Sequence, residues 1–438
     1  MEGIDKNTFK RIFHNHWDAF KQFRPRFDNP DYNETVNKML GCGDPDQMGF
    51  VQYRCCYCGE IRRIAFTCKF CFCLSCAKVY TDRWADFIAR RLLPGITYRH
   101  VVLTMPEFLR IWFFRDPTLL SPLMRAGNAC LKDILDTCAS VKLDIGNITV
   151  LQTAGRSGHY NPHLHILMTA GGLDPLEQWK SISYIPYEMM HKKWQYHLLK
   201  MLRENVSDPA IEKDIDRAWR DYPKGFVAFL QDGDVPPGGK GLAQYLAKYV
   251  VSPPISVRRI ESYDGKVISF WYRDHKTGQI KHETLPALQF IGRMAQHILP
   301  KGFQRIRYYG LHGNVRYQKM REYLAEIIPP QRPDDPRGYR VLGPKPFAQL
   351  FFESFGKDPL LCPKCGDNMM LELIYHPKYG TIKEFSLFEE LPDEPEPVGT
   401  TASRRTMDRA ERLVQVSLLF FLSNIIHWLP ALNSSQSY

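Results

Sequence analysis

The fold of this chain is decided by residues 148–169. They consist of the run Ile148-Thr-Val-Leu-Gln-Thr153, a nine-residue connection (154–162) and the run His163-Leu-His-Ile-Leu-Met-Thr169. Both runs are apolar and β-branched, and the connection is rich in turn-forming residues, so the pattern predicts an antiparallel hairpin. Because alternate side chains of a strand share a face, His163 and His165 should project together while the leucine between them faces the core.

Gln152 would lie on the neighbouring strand of this hairpin, where it can point at the same place as the histidines. Two imidazoles and an amide oxygen leave coordination positions open, which suits Mg²⁺ or Mn²⁺ that must also hold substrate oxygens. A His-x-His motif alone is also compatible with two histidines that are hydrogen-bonded within the fold and bind no metal. The rest of the chain must therefore decide between these two interpretations.

Cysteines are concentrated upstream of the hairpin, with eight of the twelve between Cys42 and Cys76. Cys55-x2-Cys58 and Cys73-x2-Cys76 predict a tetrahedral structural Zn²⁺ site. Cys42 and Cys68 either complete a second site or replace a member of the first. Farther along, Cys362 and Cys365 form another C-x-x-C pair, for which metal binding stays open, with His376 as a possible helper.

Two tyrosines share one face of a predicted helix in the segment GLAQYLAKYVV (241–251). Tyr245 and Tyr249 are four residues apart, a spacing that occurs in aromatic packing and also places two phenols together. Attack of a phenol on a DNA phosphodiester gives a 5′-phosphotyrosine and a free 3′-hydroxyl, and it conserves the bond energy needed for rejoining. A nearby divalent cation would neutralise the charge that grows on the phosphate oxygens.

Overall composition favours a polyanionic partner, because 58 Lys and Arg against 47 Asp and Glu give a net charge of +11. The hydrophobic fraction of 44% excludes a disordered, collagen-like or coiled-coil chain. No secretory signal is apparent at the start of the sequence, and polar residues interrupt the apolar run 413–430 before it reaches the length of a membrane span. We therefore expect a cytoplasmic protein without a membrane partner.

Taken together, these segments resemble the HUH endonucleases, and among them the two-tyrosine rolling-circle insertion-sequence transposases of the IS ninety-one group. The resemblance covers about residues 42–312 and is carried by GEIRRIAFTCKFCFCLSC, YRHVVLTMPEFLR, LQTAGRSGHYNPHLHILMTAGG, YLAKYVVSPPISVRRI and FIGRMAQHILPKGFQRIRYYGL. It implies an α+β fold, in which helices flank a central antiparallel sheet, together with an N-terminal Cys-rich zinc module and a small C-terminal unit.

The resemblance also implies roles for individual residues. His163 and His165 would be the paired ligands of the catalytic Mg²⁺ or Mn²⁺, Gln152 the third ligand, and Tyr245 and Tyr249 the nucleophiles. The structural Zn²⁺ ligands would come from Cys42, Cys55, Cys58, Cys68, Cys73 and Cys76.

Four regions follow from this organisation of the chain. Residues 1–93 would hold an N-terminal helix and the zinc module, and 94–328 the catalytic domain with a DNA-binding extension. A Pro-rich linker (329–346) would lead to a C-terminal unit (347–438) with the last C-x-x-C, an acidic linker and an apolar tail.

Contacts with single-stranded DNA are predicted for basic residues that alternate with aromatic ones, because cations follow the backbone while rings stack on bases. Residues 293–321 contain seven basic residues and no acidic one. The candidates are Lys248, Arg258, Arg259, Arg293, Lys301, Arg305 and Arg307.

The sequence thus predicts a transposase that nicks and rejoins single-stranded DNA at mobile-element ends and at the target, with no small-molecule substrate. Three alternatives remain. A plasmid replication initiator or relaxase would share the chemistry, a zinc-containing DNA-binding regulator would lack catalysis, and a His-x-His metal enzyme would act on small molecules. The last leaves the basic stretch and the tyrosine pair unexplained.

Overall fold

A computed structural model describes residues 4–5, 7–70, 72–93, 95–138, 141–182, 184–230, 254–274, 277–328, 352, 358 and 360–385. The chain divides into two compact units, the first formed by residues 1–42 and 67–341 and the second by residues 43–66 and 342–438. The helices are α1 Thr8–Phe23, α2 Pro30–Leu40, α3 Pro45–Met48, α4 Ala77–Arg91, α5 Arg110–Arg115, α6 Leu120–Cys138, α7 Tyr187–Asn205, α8 Ala210–Asp221, α9 Ala287–Ala295 and α10 Tyr317–Ile327. The strands are β1 Phe50–Cys55, β2 Ile61–Ala65, β3 Tyr98–Leu103, β4 Asp144–Ala154, β5 Tyr160–Leu173, β6 Trp179–Ser181, β7 Ala228–Leu230, β8 Ile260–Tyr263, β9 Val267–Arg273, β10 Ile280–Pro286, β11 Ile306–Gly310, β12 Met369–His376 and β13 Gly380–Glu384.

The main sheet of the first unit is antiparallel, with the order β11-β4-β5-β3-β7, and β6 pairs with β5 outside this path. The predicted hairpin is its centre, formed by β4 and β5. Both strands are longer than the sequence runs indicated, so the connection shrinks to residues 155–159. The extension arises because residues beyond both runs still pair across the hairpin, from Asp144 opposite Leu173 to Ala154 opposite Tyr160.

The strand that carries the histidines is buried on both faces. Leu164 and Ile166 lie in the large apolar core cluster of this unit with residues of α6 and α7, and both have no exposed surface. Helix α6 comes close to this strand at Gly127, where an added Cβ would lie 2.4 Å from Leu164 Cδ1. The alternation predicted from sequence is confirmed, and it leaves His163 and His165 on the opposite face.

Most of the expected secondary structure of the first unit is present. The spacing of apolar and aromatic residues predicts helix over residues 5–40, and this segment forms α1 and α2, the second of which begins at Pro30. The segments SVRRIESY, KVISFWYRD and KHETLP resemble strands, and they contribute the three strands of the sheet β10-β9-β8. The spacing of apolar residues predicts that the region 187–232 is mainly helical, and α7 and α8 agree with this, but the region also contains β7. A three-residue edge strand is too short to show a period in the sequence.

The second unit is a four-stranded antiparallel sheet with the order β13-β12-β1-β2. Strand β1 pairs with β12, so that Cys55 stands opposite Met369. This division of the chain differs from the expected one, since residues 43–66 join the C-terminal strands. The boundaries that we assign to the catalytic domain and the linker stay predictions.

Some of the predictions concern residues outside the described part of the chain. They are Tyr245, Lys248 and Tyr249, the helix that would carry them, the Pro-rich linker and the apolar tail. Within the described part, no helix combines the length and the apolar character that crossing a membrane requires.

Candidate functional site

The two histidines of β5 lie at the centre of the main sheet, beside β4 on one side and β3 on the other. Gln152 is the cross-strand partner of His163, and His165 is paired with Val150 of β4 and Val102 of β3. The rings of His163 and His165 have centroids 4.9 Å apart. The structure therefore brings together the three residues that we name the histidine site: Gln152, His163 and His165.

A backbone carbonyl fixes the orientation of the first ring. His163 Nδ1 is 2.6 Å from the carbonyl oxygen of Asn161, which can only accept, so Nδ1 carries the proton and donates it. In a neutral imidazole the second nitrogen, Nε2, then keeps its lone pair. This is the orientation in which metal-ligating histidines are usually held.

The second ring lies between two side chains. His165 Nδ1 is 3.1 Å from His100 Nε2, and His165 Nε2 is 3.1 Å from Gln152 Oε1. The rings of His100 and His165 are stacked, with centroids 5.3 Å apart and planes inclined by 4°. His100 belongs to β3, is almost fully buried and is not among the site residues predicted from the sequence. Its one signal in the sequence is a histidine next to the apolar run 101–103 of a strand that also contains Arg99.

Burial keeps these imidazoles neutral. It lowers the pKa of His100 to about 4. Desolvation also lowers the pKa of His163 and, more strongly, that of His165, with a further contribution from the neighbouring positive charge of Arg110 for His163 and from the other two histidines for His165. A neutral imidazole is the form that binds a metal, so the environment favours ligation.

The spacing of the donor atoms fits a divalent cation. Two ligands at right angles on an ion such as Mg²⁺, each about 2.1 Å from it, are roughly 3.0 Å apart. The separation of 3.1 Å between His165 Nε2 and Gln152 Oε1 matches this value. This pair of donors therefore fits Mg²⁺ or Mn²⁺, and the lone pair on His163 Nε2 makes that nitrogen the candidate third donor.

The cysteines form two separate groups, each with four sulfur atoms within 4.8 Å of one another. The first group, in the first unit, consists of Cys42, Cys68, Cys73 and Cys76, and all four are buried. The second group, in the second unit, consists of Cys55, Cys58, Cys362 and Cys365. His376 belongs to neither.

The predicted arrangement of the two upstream C-x-x-C pairs around one ion is therefore wrong. Cys73 and Cys76 are joined by Cys42 and Cys68 instead of Cys55 and Cys58. The reason is the pairing of β1 with β12, which places Cys55 next to a C-x-x-C motif about three hundred residues away in sequence.

The first group fits zinc. Tetrahedral Zn²⁺ with Zn–S bonds of about 2.3 Å separates its sulfur ligands by about 3.8 Å, whereas a disulfide brings them to about 2.05 Å. Cys76 Sγ is 3.4 Å from Cys42 Sγ and 3.6 Å from Cys68 Sγ. The backbone N–H of Cys68 donates to Cys42 Sγ at 3.3 Å, as expected for a thiolate.

Two of the predicted DNA-binding residues are engaged within the chain. Arg293 forms a two-pronged ion pair with Glu283, at 2.6 and 2.8 Å, and its side chain is only 13% exposed. Lys301 Nζ is 3.1 Å from Glu34 Oε2, although its side chain is 67% exposed. The carboxylates therefore compete with phosphate for these cations, most strongly at Arg293.

The other described residues that are predicted to bind DNA lie at two places. Arg258 and Arg259 come directly before β8, and Arg305 and Arg307 lie at the start of β11. Arg258 is exposed, and Arg259 Nη1 donates to the carbonyl of Arg156 in the β4–β5 connection at 3.0 Å. Arg307 Nη2 donates to Ser121 Oγ at 2.6 Å, and the carbonyl of Arg305 accepts from the N–H of Leu151 at 2.9 Å. Arg258 is thus the candidate most open to a phosphate.

Comparisons with known proteins agree with this α+β fold and its cysteine groups. Residues 146–319 match a family described as "Putative transposase", and residues 12–105 match a family described as "Transposase zinc-binding domain". The chain is similar to the transposase for insertion sequence element IS801 of Pseudomonas savastanoi pv. phaseolicola, with 30% identity over 354 residues, which cover 77% of this chain and 82% of that protein.

A second relative is described as "Putative transposase y4qJ" of Sinorhizobium fredii. It is 28% identical over 341 residues, which cover 73% of this chain and 83% of the relative. No solved structure matches the chain significantly. The fold, the zinc-binding cysteines and these relatives define an insertion-sequence transposase. The chain belongs to the IS91 (IS ninety-one) family of transposases.

Proposed function

We propose that this transposase nicks and rejoins single-stranded DNA at the ends of its mobile element by metal-dependent tyrosine transesterification. The observation that carries the proposal is the histidine site itself. Gln152, His163 and His165 lie together at the centre of the sheet, and the Asn161 carbonyl holds the proton of His163 on Nδ1. His100 Nε2 lies beside His165 Nδ1, where it can accept the proton of that ring once Nε2 binds a metal. A divalent cation bound there would offset the charge that develops on the scissile phosphate.

The nucleophiles in this proposal are Tyr245 and Tyr249. The phenolic oxygen forms a bond to phosphorus, the bond from phosphorus to the 3′-oxygen breaks, and the phenolic proton ends on that 3′-oxygen through solvent. The result is a 5′-phosphotyrosine and a free 3′-hydroxyl. With two tyrosines, one can keep the donor end covalently attached while the other attacks the next site.

The described residues on either side of the tyrosine segment support this assignment. The chain enters the segment from Leu230 of β7, whose neighbour β3 carries His100. After the segment, Arg259 is hydrogen-bonded to the β4–β5 connection, next to the end of the strands that holds Gln152 and His163. The described residues that flank the segment, Leu230 and Arg259, thus contact β3 and the β4–β5 connection, both of which border the histidine site.

Positive charge around this end of the sheet favours a DNA backbone as the partner. Arg110 is close enough to His163 to lower the pKa of its imidazole, and Arg258 is exposed beyond the tyrosine segment. We propose that Arg258 and Arg110 contact phosphates of the single strand, with Arg259, Arg305 and Arg307 close by. Arg110 was not among the residues predicted from sequence.

The test is a covalent-adduct assay with the full chain, Mg²⁺ and a single-stranded oligonucleotide that carries the element end, read from the DNA that flanks the coding frame. We expect a protein–DNA adduct that survives denaturation. It should disappear in the double variant Tyr245→Phe/Tyr249→Phe and fall at least about tenfold in His163→Ala, because each removes a group that the reaction needs.

Tyr196→Phe and His14→Ala are matched controls, since both residues are exposed and lie outside the proposed site. Both should form the adduct at the level of the intact chain. An adduct that persists in the double tyrosine variant would show that the nucleophile is another residue. The replication-initiator and regulator alternatives receive no support from a specific observation, because both relatives are described as transposases.

A further inference from the structure

The second group of cysteines lies in a part of the molecule that the proposed reaction does not use. Cys55 is the last residue of strand β1 and Cys58 follows it, whereas Cys362 and Cys365 precede strand β12. Because β1 and β12 are antiparallel, the end of one and the start of the other meet at the same end of the ladder, where Cys55 is opposite Met369. Strand pairing therefore brings together two C-x-x-C motifs that are far apart in sequence.

The two motifs have the same local structure. Each reads C-x-x-C-G, as Cys55-Cys-Tyr-Cys58-Gly59 and Cys362-Pro-Lys-Cys365-Gly366. Both glycines have a positive φ, +71° at Gly59 and +79° at Gly366, which a side chain would disfavour. The tight turn in each motif places its two sulfur atoms on the same side.

Matching hydrogen bonds close the two turns. The N–H of Gly59 donates to the carbonyl of Cys55 at 3.1 Å, and that of Gly366 to the carbonyl of Cys362 at 3.0 Å. A backbone N–H also points at the first sulfur of each motif, from Cys58 to Cys55 Sγ at 3.5 Å and from Lys364 to Cys362 Sγ at 3.4 Å. Such bonds stabilise sulfur as a thiolate, which is the form that binds a metal.

The distances between the motifs fit a metal rather than disulfides. Cys55 Sγ is 3.4 Å from Cys365 Sγ, and Cys58 Sγ is 3.6 Å from Cys362 Sγ. These values are near the separation of about 3.8 Å around tetrahedral Zn²⁺ and well above the disulfide length of about 2.05 Å. Each cross-motif contact joins one sulfur of each turn, as a tetrahedral ion between the two turns requires.

Two cysteines of the group belong to the described core of this unit. The buried core residues in the described part are Tyr53, Cys55, Cys362, Met369, Leu371 and Ile374. Partly buried hydrophobic side chains, among them Val51, Ile64 and Phe66, pack against them. An ion bound by Cys55 and Cys362 would therefore be tied directly to the packing of the sheet, so that metal binding and folding are coupled.

We propose that the second unit binds a zinc ion of its own through Cys55, Cys58, Cys362 and Cys365, in addition to the ion of the first group. This zinc would join the N-terminal segment 43–66 to the C-terminal strands. The zinc-binding family match ends at residue 105, so it does not include Cys362 and Cys365. The proposal is independent of the tyrosine chemistry, because it concerns ligands in a different unit.

The test is metal analysis of the intact chain by native mass spectrometry and elemental analysis, after exposure to zinc and removal of the excess. We expect two zinc ions per chain. Cys365→Ala should retain one, Cys73→Ala should retain one, and the double variant none. Cys56→Ala is the matched control, since Cys56 lies in the same turn as Cys55 and Cys58 but is exposed and outside the group, and it should keep both ions.

Cys365→His keeps the test decisive if the alanine variant misfolds. Histidine can replace a thiolate around zinc, so this variant should still bind two ions, and its cobalt-substituted form should show a weaker sulfur-to-metal charge-transfer band. Any of three results would overturn the proposal. They are a single zinc ion in the intact chain, iron instead of zinc at the second group of cysteines, and two zinc ions retained by Cys365→Ala.

Discussion

His100 is the residue whose role the structure makes most specific. Its Nε2 faces His165 Nδ1 at 3.1 Å, while the other nitrogen of His165 faces Gln152 Oε1. A metal on His165 Nε2 requires the proton of that ring to be on Nδ1, where it needs an acceptor. His100 can accept it, because burial keeps its pKa at about 4 and the ring neutral.

We predict that His100→Phe weakens metal binding at the histidine site while preserving the ring's volume. Loss of an outer partner of a ligating histidine typically lowers metal affinity tenfold or more. The concentration of Mn²⁺ that gives half-maximal adduct should therefore rise about tenfold, with a smaller change in the amount of adduct at saturating Mn²⁺. Titration of adduct formation with Mn²⁺ measures both quantities.

His312→Phe is the control for this prediction. His312 is equally buried and its Nε2 is hydrogen-bonded to Tyr98 Oη at 3.1 Å, but it makes no contact with the histidine site in the described part of the chain. It should leave the Mn²⁺ requirement unchanged. The same half-maximal Mn²⁺ concentration in His100→Phe and the intact chain would show that His100 does not position His165.

Among the secondary-structure elements, β11 depends on a close backbone contact. Its last residue, Gly310, stands opposite Gly146 of β4 with a φ of +57°, and an added Cβ would lie 1.8 Å from the carbonyl oxygen of Ile145. A backbone atom cannot move aside as a flexible side chain can. The strand can therefore add to the edge of the sheet only with glycine at this position.

Gly310→Ala should lower the free energy of unfolding by roughly 3 kcal/mol or more, from the positive φ and the steric clash together. Gly302→Ala is the comparison, because Gly302 also has a positive φ of +77° but open space around it. It should cost only about 1 kcal/mol. Urea unfolding of both variants measures the difference, and equal shifts would mean that β11 moves freely to accept a side chain.

For the molecule as a whole, buried histidines link stability to pH. Burial lowers the pKa of His297 to about 4 and that of His312 to about 3, from an ordinary value of 6.5. Between these values the unfolded chain binds more protons than the folded one. The stability that these two neutral histidines contribute is therefore complete above about pH 6.5. It is lost as the pH falls to the folded-state pKa values, about 4 for His297 and about 3 for His312.

We predict that the free energy of unfolding falls by up to about 2.7 kcal/mol per pH unit from these two residues between roughly pH 6 and pH 4. His297→Gln should lower the measured slope by up to about 1.4 kcal/mol per pH unit, since one buried protonation site is gone while the other buried histidines still contribute. Urea unfolding at several pH values provides the slopes. His14→Gln, at an exposed position, is the control. An unchanged slope in His297→Gln would show that His297 is not a source of the pH dependence.

Features that depend on a local pattern of residues could be predicted from the amino-acid sequence alone. The β4–β5 hairpin, the shared face of His163 and His165 and the placement of Gln152 beside them follow from period-two alternation and a turn-rich connection. The family followed from motifs that occur in a fixed order. These features need only neighbours in sequence, or one hairpin, to be correct.

Contacts between residues of distant segments, in contrast, could be identified only in the folded chain. The partner of His165 on β3, the ion pair that engages Arg293, and the division of the cysteines into two groups all depend on which strands pair. A C-x-x-C motif shows that a turn can present two thiolates, but it does not show which other turn completes the tetrahedron. That choice was made by the backbone hydrogen bonds between β1 and β12, which span the chain from its N-terminal segment to its C-terminal one.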